Sequence, residues 1–434
     1  MGSMTSQRAR PKGSKSVAGL VVPPMERVRV AFIGVGARGS GHVSQLCNID
    51  GVDIIAICDD HLPTLQRSVD NVVKHGRPTP LAFGKDKDDY KRMLERKDID
   101  VVFIATPWEE HVRMAVDTMN SGKHVCCEVP IAYTLEDCWK LVDTAERTQR
   151  NCMMMENVCY GREELLVLNM VRKGVFGDLI HGEGAYIHDL RSQMFEIEHG
   201  TGSWRTYHYV KRNGNLYPTH GLGPIAQYMD INRGDAFDYM VSIGSMPLSR
   251  EIYAQAKFPE GHERRSLKFK CGDMNTSVIK TKKGRTIMVQ WDEQLPRPYS
   301  RLNFLQGTKG AWGGYPDRTG FEAHVGDGVE EWKEGGDLQP WYELHEHPLF
   351  VRMGQEAKKN GGHGGMDFLM LWRIIYCYRN GLPLDQDVYD GCAWSVVGPL
   401  SEASVANRGR SMDFPDFTRG EWKTRAPLDN MSNA

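Results

Sequence analysis

The chain has 434 residues, 40% of them hydrophobic and 25% charged. That is ordinary globular composition over a length suited to about two or three domains, and it excludes wholesale disorder and collagen-like repeats. Lys and Arg number 54 against 56 Asp and Glu, a net charge of −2, so the sequence carries no electrostatic footprint for nucleic acid or for an anionic membrane surface.

Residues 1–25 are basic, carry no acid and read as a disordered tail or an expression remnant; the patch VAGLVV is too brief for a signal core. From Val28 the pattern is strand, glycine-rich turn, helix. VRVAFIGVG is a continuous β-branched run, as in a parallel strand buried on both faces. VDIIAICD, DIDVVFIATP and KHVCCEVP repeat it, with helical stretches between them, one ending at Gly122 and one opening at Thr134. Residues 26–155 are thus expected to form a doubly wound parallel α/β sheet.

Residues 156–434 read differently. After the helix REELLVLNMVRKG come segments expected as strands: IHGEGAYIHDL, FDYMVSIGSM, MNTSVIKTKKGRTIMVQWD with a turn at Lys283-Gly284, and YSRLNFLQGTKG. Residues 313–340 read as surface loops, and 366–380 and 389–407 as closing helices. The expected domain is α+β, with a large open, mainly antiparallel sheet and a C-terminal tail packing back.

Gly34-x-Gly36-x-x-Gly39 lies where the first strand meets its helix, the position at which glycines admit a pyrophosphate to the helix N-terminus. Asp59 closes the second strand, placed to hold both ribose hydroxyls, and Asp60 beside it disfavours a 2′-phosphate, so NAD is expected rather than NADP. Trp108 and His111 follow the third strand named above and Glu128 the fourth, at the carboxyl ends where open sheets bind ligands. Tyr186 and His188 share one face of a strand. Tyr217 and His220, three apart at a helix start, are candidate acid/base groups. Gly361-Gly362-His363-Gly364-Gly365 reads as a pliable loop with a titratable tip, and His345-x-His347 as solvated surface on a strand. The ten cysteines include no C-x-x-C pair and read as reduced thiols with no metal centre; they suit the cytoplasm, while a removed leader would allow export.

AFIGVGARG, ATP-x-x-x-x-H ending at His111 and GKHVCCEVP resemble the glucose–fructose oxidoreductase/inositol dehydrogenase/MocA superfamily. Two departures stand out: Val129 occupies the position of that superfamily's catalytic Lys, and Tyr217 replaces an Asp before His220. MENVCYGR (155–162), WRTYHYVKRNGNLYPTHGLGP (204–224), RPYSRLNFLQGTKG (297–310) and GGHGGMD (361–367) resemble glycoside hydrolase family 109, which contains NAD-dependent α-N-acetylgalactosaminidases. Between Arg191 and Trp204 the chain is shorter than members with a longer loop, which bears on leaving-group preference.

The resemblance implies that Ala37, Arg38 and Asp59 bind the adenosine half of NAD, and that Trp108, Glu109, Glu110, His111, Glu128, Val129 and Asn157 line the rest. Tyr217, Pro218, Thr219 and His220 would lie between cofactor and sugar, with Arg205 beside them. Tyr186, Arg205, Tyr217 and Tyr299 would touch the sugar, with Glu156 nearby, and His363 would protonate the departing oxygen. The implied reaction is hydrolysis of terminal α-N-acetylgalactosamine or a related hexosaminide by oxidation at carbon 3, elimination, water addition and re-reduction, with Tyr217 or His220 as base. A net sugar dehydrogenase and a non-catalytic NAD-binding regulator are the alternatives. Pairing of two copies through the open sheet is also implied.

Overall fold

A computed structural model describes residues 8–429. Its first sheet has six parallel strands: β1 (Val28–Ile33), β2 (Val52–Cys58), β3 (Leu81–Phe83), β4 (Val101–Ile104), β5 (His124–Cys127) and β6 (Cys152–Met154). They lie in the order β3-β2-β1-β4-β5-β6, all paired in parallel. Helices cover both faces, which is why β1 and β4 are apolar and buried along nearly their whole length. The order reverses between β1 and β4, opening a crevice at their carboxyl ends. β3 and β6, three residues each, are too short to show a period in sequence.

The second sheet has nine strands: β7 (Leu179–Ile187), β8 (Phe237–Gly244), β9 (Asn275–Thr281), β10 (Thr286–Asp292), β11 (Phe304–Gly307), β12 (Gly310–Gly313), β13 (Arg318–Phe321), β14 (Lys333–Glu334) and β15 (Met412–Asp413). β10 pairs antiparallel with β9 and parallel with β7, so the sheet is mixed but mainly antiparallel. Three of these strands, β12 to β14, include parts of the stretch expected as loops. One face is covered by the helices Thr219–Tyr228 and Val397–Ala406. On the other, Val241, Val278, Met288, Glu183 and Phe304 stand in register across five strands, with Val278 41% exposed.

The expected closing helix over 389–407 is two, Val388–Ser395 and Val397–Ala406. Helix Met366–Asn380 packs against Ala37–Cys47 of the first domain, closing the crevice from its far side. Phe417 of the C-terminal segment lies against Trp139, ring centroids 4.7 Å apart. The segment 8–25 is not a loose tail. Val17 is buried, its N–H donates to the Tyr389 hydroxyl at 3.1 Å, and Arg8 pairs with Glu136. Residues 1–7 lie outside the described residues. All ten cysteines are free and buried, and among the described residues no helix is long and apolar enough to cross a membrane.

Candidate active site

The crevice is a cleft of about 1160 Å³ between the domains. One wall is the glycine-rich turn. Gly34 has φ +83°, and a Cβ there would stand 2.8 Å from the Ala105 carbonyl oxygen; at Gly39 it would stand 2.1 Å from the Gly34 carbonyl oxygen. Both glycines are therefore required, one for the turn and one for helix–strand contact. Asp59 accepts the N–H groups of Val35 and His61, at 2.8 and 2.9 Å, which fixes its carboxylate at the end of β2.

A segment of the second domain reaches this wall. The Gly200 carbonyl accepts the Ala37 N–H at 2.9 Å, and a Cβ on Gly36 would stand 2.7 Å from the Gly200 Cα. His199 Nε2 lies 3.2 Å from Asp59 and 3.5 Å from Asp60. The 191–204 segment thus lies against the dinucleotide end of the cleft.

Arg38 does not point to the adenosine end. Its guanidinium donates to Glu128 at 2.7 Å and to both oxygens of Asp367 at 2.6 and 3.0 Å. His42 Nε2 lies 2.6 Å from Glu128, and Asn157 donates to Asp367 at 2.6 Å. Burial by itself raises both carboxyls, but Arg38 with His42 at Glu128, and His363 with Arg38 at Asp367, outweigh it and hold both far below the usual range. Asp367 in turn holds His363 Nδ1 at 2.7 Å, with the imidazole 62% exposed. All five residues from Gly361 to Gly365 have positive φ. The glycines therefore specify one left-handed path, beyond the pliability expected of them.

At the sugar end, close packing brings the aromatic residues together. A Cβ on Gly221, in the first turn of Thr219–Tyr228, would stand 2.2 Å from the Ala185 backbone nitrogen, so the helix rides directly on β7. Tyr217 is thereby 4.9 Å from Tyr186 and 4.8 Å from His220, ring to ring. Glu156 holds His220 Nδ1 at 2.7 Å. Burial pushes the Tyr217 phenol well up, and Arg205, 5.0 Å from its ring centroid, opposes this without cancelling it. Tyr186 shares a hydrogen bond of 3.1 Å with His188. Backbone bonds from Ala185 to Arg301 and between Ile187 and Ser300 hold Tyr299 beside them, 6.2 Å from Tyr186.

Several expected contacts are not formed as expected. Glu156 is wholly buried behind His220 and meets the cleft only through it. Glu109 turns to His208 at 2.9 Å. Glu110, which does line the cleft, pairs with Arg113 at 2.5 Å. Both ring nitrogens of His111 are taken by backbone carbonyls, of Pro130 at 2.9 Å and Thr106 at 2.8 Å, so it staples the ends of β4 and β5. Val129 lines the cleft, and its carbonyl accepts the Trp108 indole N–H at 3.2 Å. Pro218 and the wholly buried Thr219 start the helix and do not line the cleft. His347 is buried and caps the helix Pro348–Asn360, not solvated surface on a strand. Asp367, His42, His199 and Gly200 carry no motif in the sequence, and Asp367, although only four residues beyond His363, is brought to it by the left-handed loop and not by helical spacing.

The geometry can now be set beside known proteins. Residues 28–156 match the family described as "Oxidoreductase family, NAD-binding Rossmann fold" and residues 160–424 that described as "Glycosyl hydrolase 109, C-terminal domain". "Glycosyl hydrolase family 109 protein 1" of Shewanella sp. (strain ANA-3) is 60% identical over 424 residues, 98% of this chain and 92% of that protein. The chain belongs to glycosyl hydrolase family 109. A relative from Shewanella oneidensis, named "Alpha-N-acetylgalactosaminidase", is 59% identical over 98% of this chain and 92% of its own length. A levoglucosan dehydrogenase solved with NADH and levoglucosan shares the fold, with a TM-score of 0.65 at 16% identity over 90% of this chain and all of that one.

The family's NAD-binding domain fits the cleft on this structure's own terms. The glycine cradle leaves no room for a Cβ at Gly34 or Gly39, and an anchored Asp59 closes β2.

Proposed function

We propose that this family 109 protein is an NAD-dependent α-N-acetylgalactosaminidase that hydrolyses terminal α-linked N-acetylgalactosamine with no net oxidation. One observation carries the reading. The carboxylates of Glu128 and Asp367 in the cleft, and of Glu156 behind His220, are each held by a cationic or imidazole partner. None is left as a member of the free carboxylate pair that ordinary glycosidases require. What the cleft offers instead, beside a dinucleotide fold, is acid-held histidines, among them His220 on Glu156 and His363 on Asp367.

The Gly34–Gly39 turn, Asp59 and the ends of β4 and β5 would hold NAD, which would supply a reversible hydride acceptor for carbon 3 of the sugar. His220, its Nδ1 fixed by Glu156, takes the carbon-3 hydroxyl proton through Nε2. Tyr217 stays protonated, because burial dominates its environment, and donates a hydrogen bond to the same oxygen. A ketone at carbon 3 acidifies the hydrogen on carbon 2, and loss of that proton expels the anomeric substituent. His363, with Nδ1 held by Asp367, protonates the departing oxygen through Nε2. Tyr186, Arg205 and Tyr299 bound the sugar. Addition of water at carbon 1, reprotonation of carbon 2 and return of the hydride to carbon 3 complete the cycle with no net oxidation.

Hydrolysis of 4-nitrophenyl α-N-acetylgalactosaminide in deuterated water tests the reading. Exchange of the carbon-2 proton predicts sugar carrying deuterium at carbon 2; sugar without label means direct displacement and overturns it. Stoichiometric NADH release would instead favour the net dehydrogenase. The row through Val278 on the open sheet face, apolar but for Glu183, also supports pairing of two copies, which Val278→Glu is expected to abolish in sedimentation.

A further inference from the structure

Arg205 differs from the other arginines that line the cleft. Arg38 is spent on Glu128 and Asp367, Arg113 on Glu110 and Asp88, and Arg264 on the Met194 carbonyl. The Arg205 side chain is only 18% exposed, yet among the described residues its guanidinium makes no hydrogen bond. It rests among rings, 5.6 Å from the Trp108 centroid, 5.5 Å from Trp204 and 5.0 Å from Tyr217. Rings attract a cation, but a buried one still calls for an opposite charge. Glu293, wholly buried just after β10, supplies it.

Glu293 Oε1 lies 3.7 Å from Arg205 Nη1 and has no hydrogen-bond donor, while Oε2 accepts the Tyr209 hydroxyl. Arg205 and Tyr209 stand one turn apart on the helix Arg205–Lys211, so both face the same acid. The acid's own backbone is fixed from behind. Asp292 accepts the Gln294 and Leu295 N–H groups, each at 2.9 Å, and buried Arg250 donates to the Glu293 carbonyl at 3.1 Å. At 3.7 Å the contact with Arg205 is one of charge, too long for a hydrogen bond. Glu293 thus balances Arg205 without consuming its donors.

We propose that Glu293 is a positioning residue whose carboxylate, held by Tyr209, fixes the Arg205 guanidinium over Tyr217 with its N–H groups left for oxygens of the sugar. The inference rests on the glycosidase reading above and adds two residues to it. Neither Glu293 nor Tyr209 lines the cleft, so both act through Arg205.

Hydrolysis of 4-nitrophenyl α-N-acetylgalactosaminide by four variants tests this. Glu293→Gln keeps the shape and removes the charge; KM is expected to rise about tenfold, the worth of one charge-assisted hydrogen bond, with kcat within about threefold of the parent. Tyr209→Phe removes only the hydroxyl that holds Glu293 and should raise KM a few-fold, which carries the test if Glu293→Gln does not fold. Arg205→Ala should lose more in kcat/KM than either, and adding Glu293→Gln to it should cost less than about twofold further, because Glu293 then has nothing to act on. Guanidinium chloride at low concentration should partly restore Arg205→Ala and not the double variant, which lacks the carboxylate to hold the ion. Losses that multiply in the double variant, or equal rescue with and without the carboxylate, overturn the role. A parent protein that releases no nitrophenolate removes the glycosidase reading and this role with it.

Discussion

Arg38 and Asp367 form a two-pronged ion pair, with bonds of 2.6 and 3.0 Å, that joins the helix after the glycine-rich turn to the helix after the His363 loop. Through it the cofactor wall and the proposed proton donor share one chain, His42–Glu128–Arg38–Asp367–His363. Asp367→Asn keeps the shape and removes the charge. Breaking a fully buried pair costs about 3–5 kcal/mol; with Arg38 30% exposed and still held by Glu128, we expect about 2 kcal/mol, read by chemical denaturation. The same variant should lose more activity on a glycoside with a sugar leaving group than on a 4-nitrophenyl glycoside, because it is His363 that loses its anchor.

The same pair sets an acid limit on stability. Glu128 and Asp367 are held below the values they take unfolded, about 4.3 and 3.9. The folded state therefore binds fewer protons, and the stability these groups contribute is complete above about pH 5 and lost progressively below about pH 4. Melting temperature should fall across that window, and Glu128→Gln should flatten the fall. An unchanged acid profile in the variant would contradict the assignment.

How much of this was legible in the sequence depends on the range of the interaction. β1 and β2 were readable because burial on both faces demands an unbroken apolar run, and Gly34 and Gly39 because the turn between them permits no Cβ. Tyr186 beside His188 followed from strand alternation alone. The partner of Arg38 did not follow, since it lies 329 residues away and only tertiary packing brings it there. The contacts of His199 and Gly200 with the dinucleotide wall were equally invisible, because a loop without periodicity carries no sign of where it lands.

That loop makes a separate prediction about the cofactor. His199 is 44% exposed where it meets Asp59, so His199→Ala should speed NAD dissociation by about two- to fivefold, the range of an exposed ion pair. Asp59→Ala should lower the NAD content after purification much further. It should also cost some stability, since Asp59 anchors the Val35 and His61 N–H groups. NAD release at the parent rate from both variants would contradict the placement of the dinucleotide.

His363→Ala separates chemistry from packing. On substrates with a sugar leaving group the loss should be about 100-fold or more, the ordinary worth of a positioned acid, whereas an activated nitrophenolate should lose only a few-fold. Equal losses would mean that the loop shapes the cleft without donating a proton.

The most direct measurement removes the nucleotide and puts it back. Protein stripped of NAD by mild denaturation and refolded is expected to release no N-acetylgalactosamine, and to recover on adding NAD without accumulating NADH. Release at the original rate from stripped protein would contradict the account.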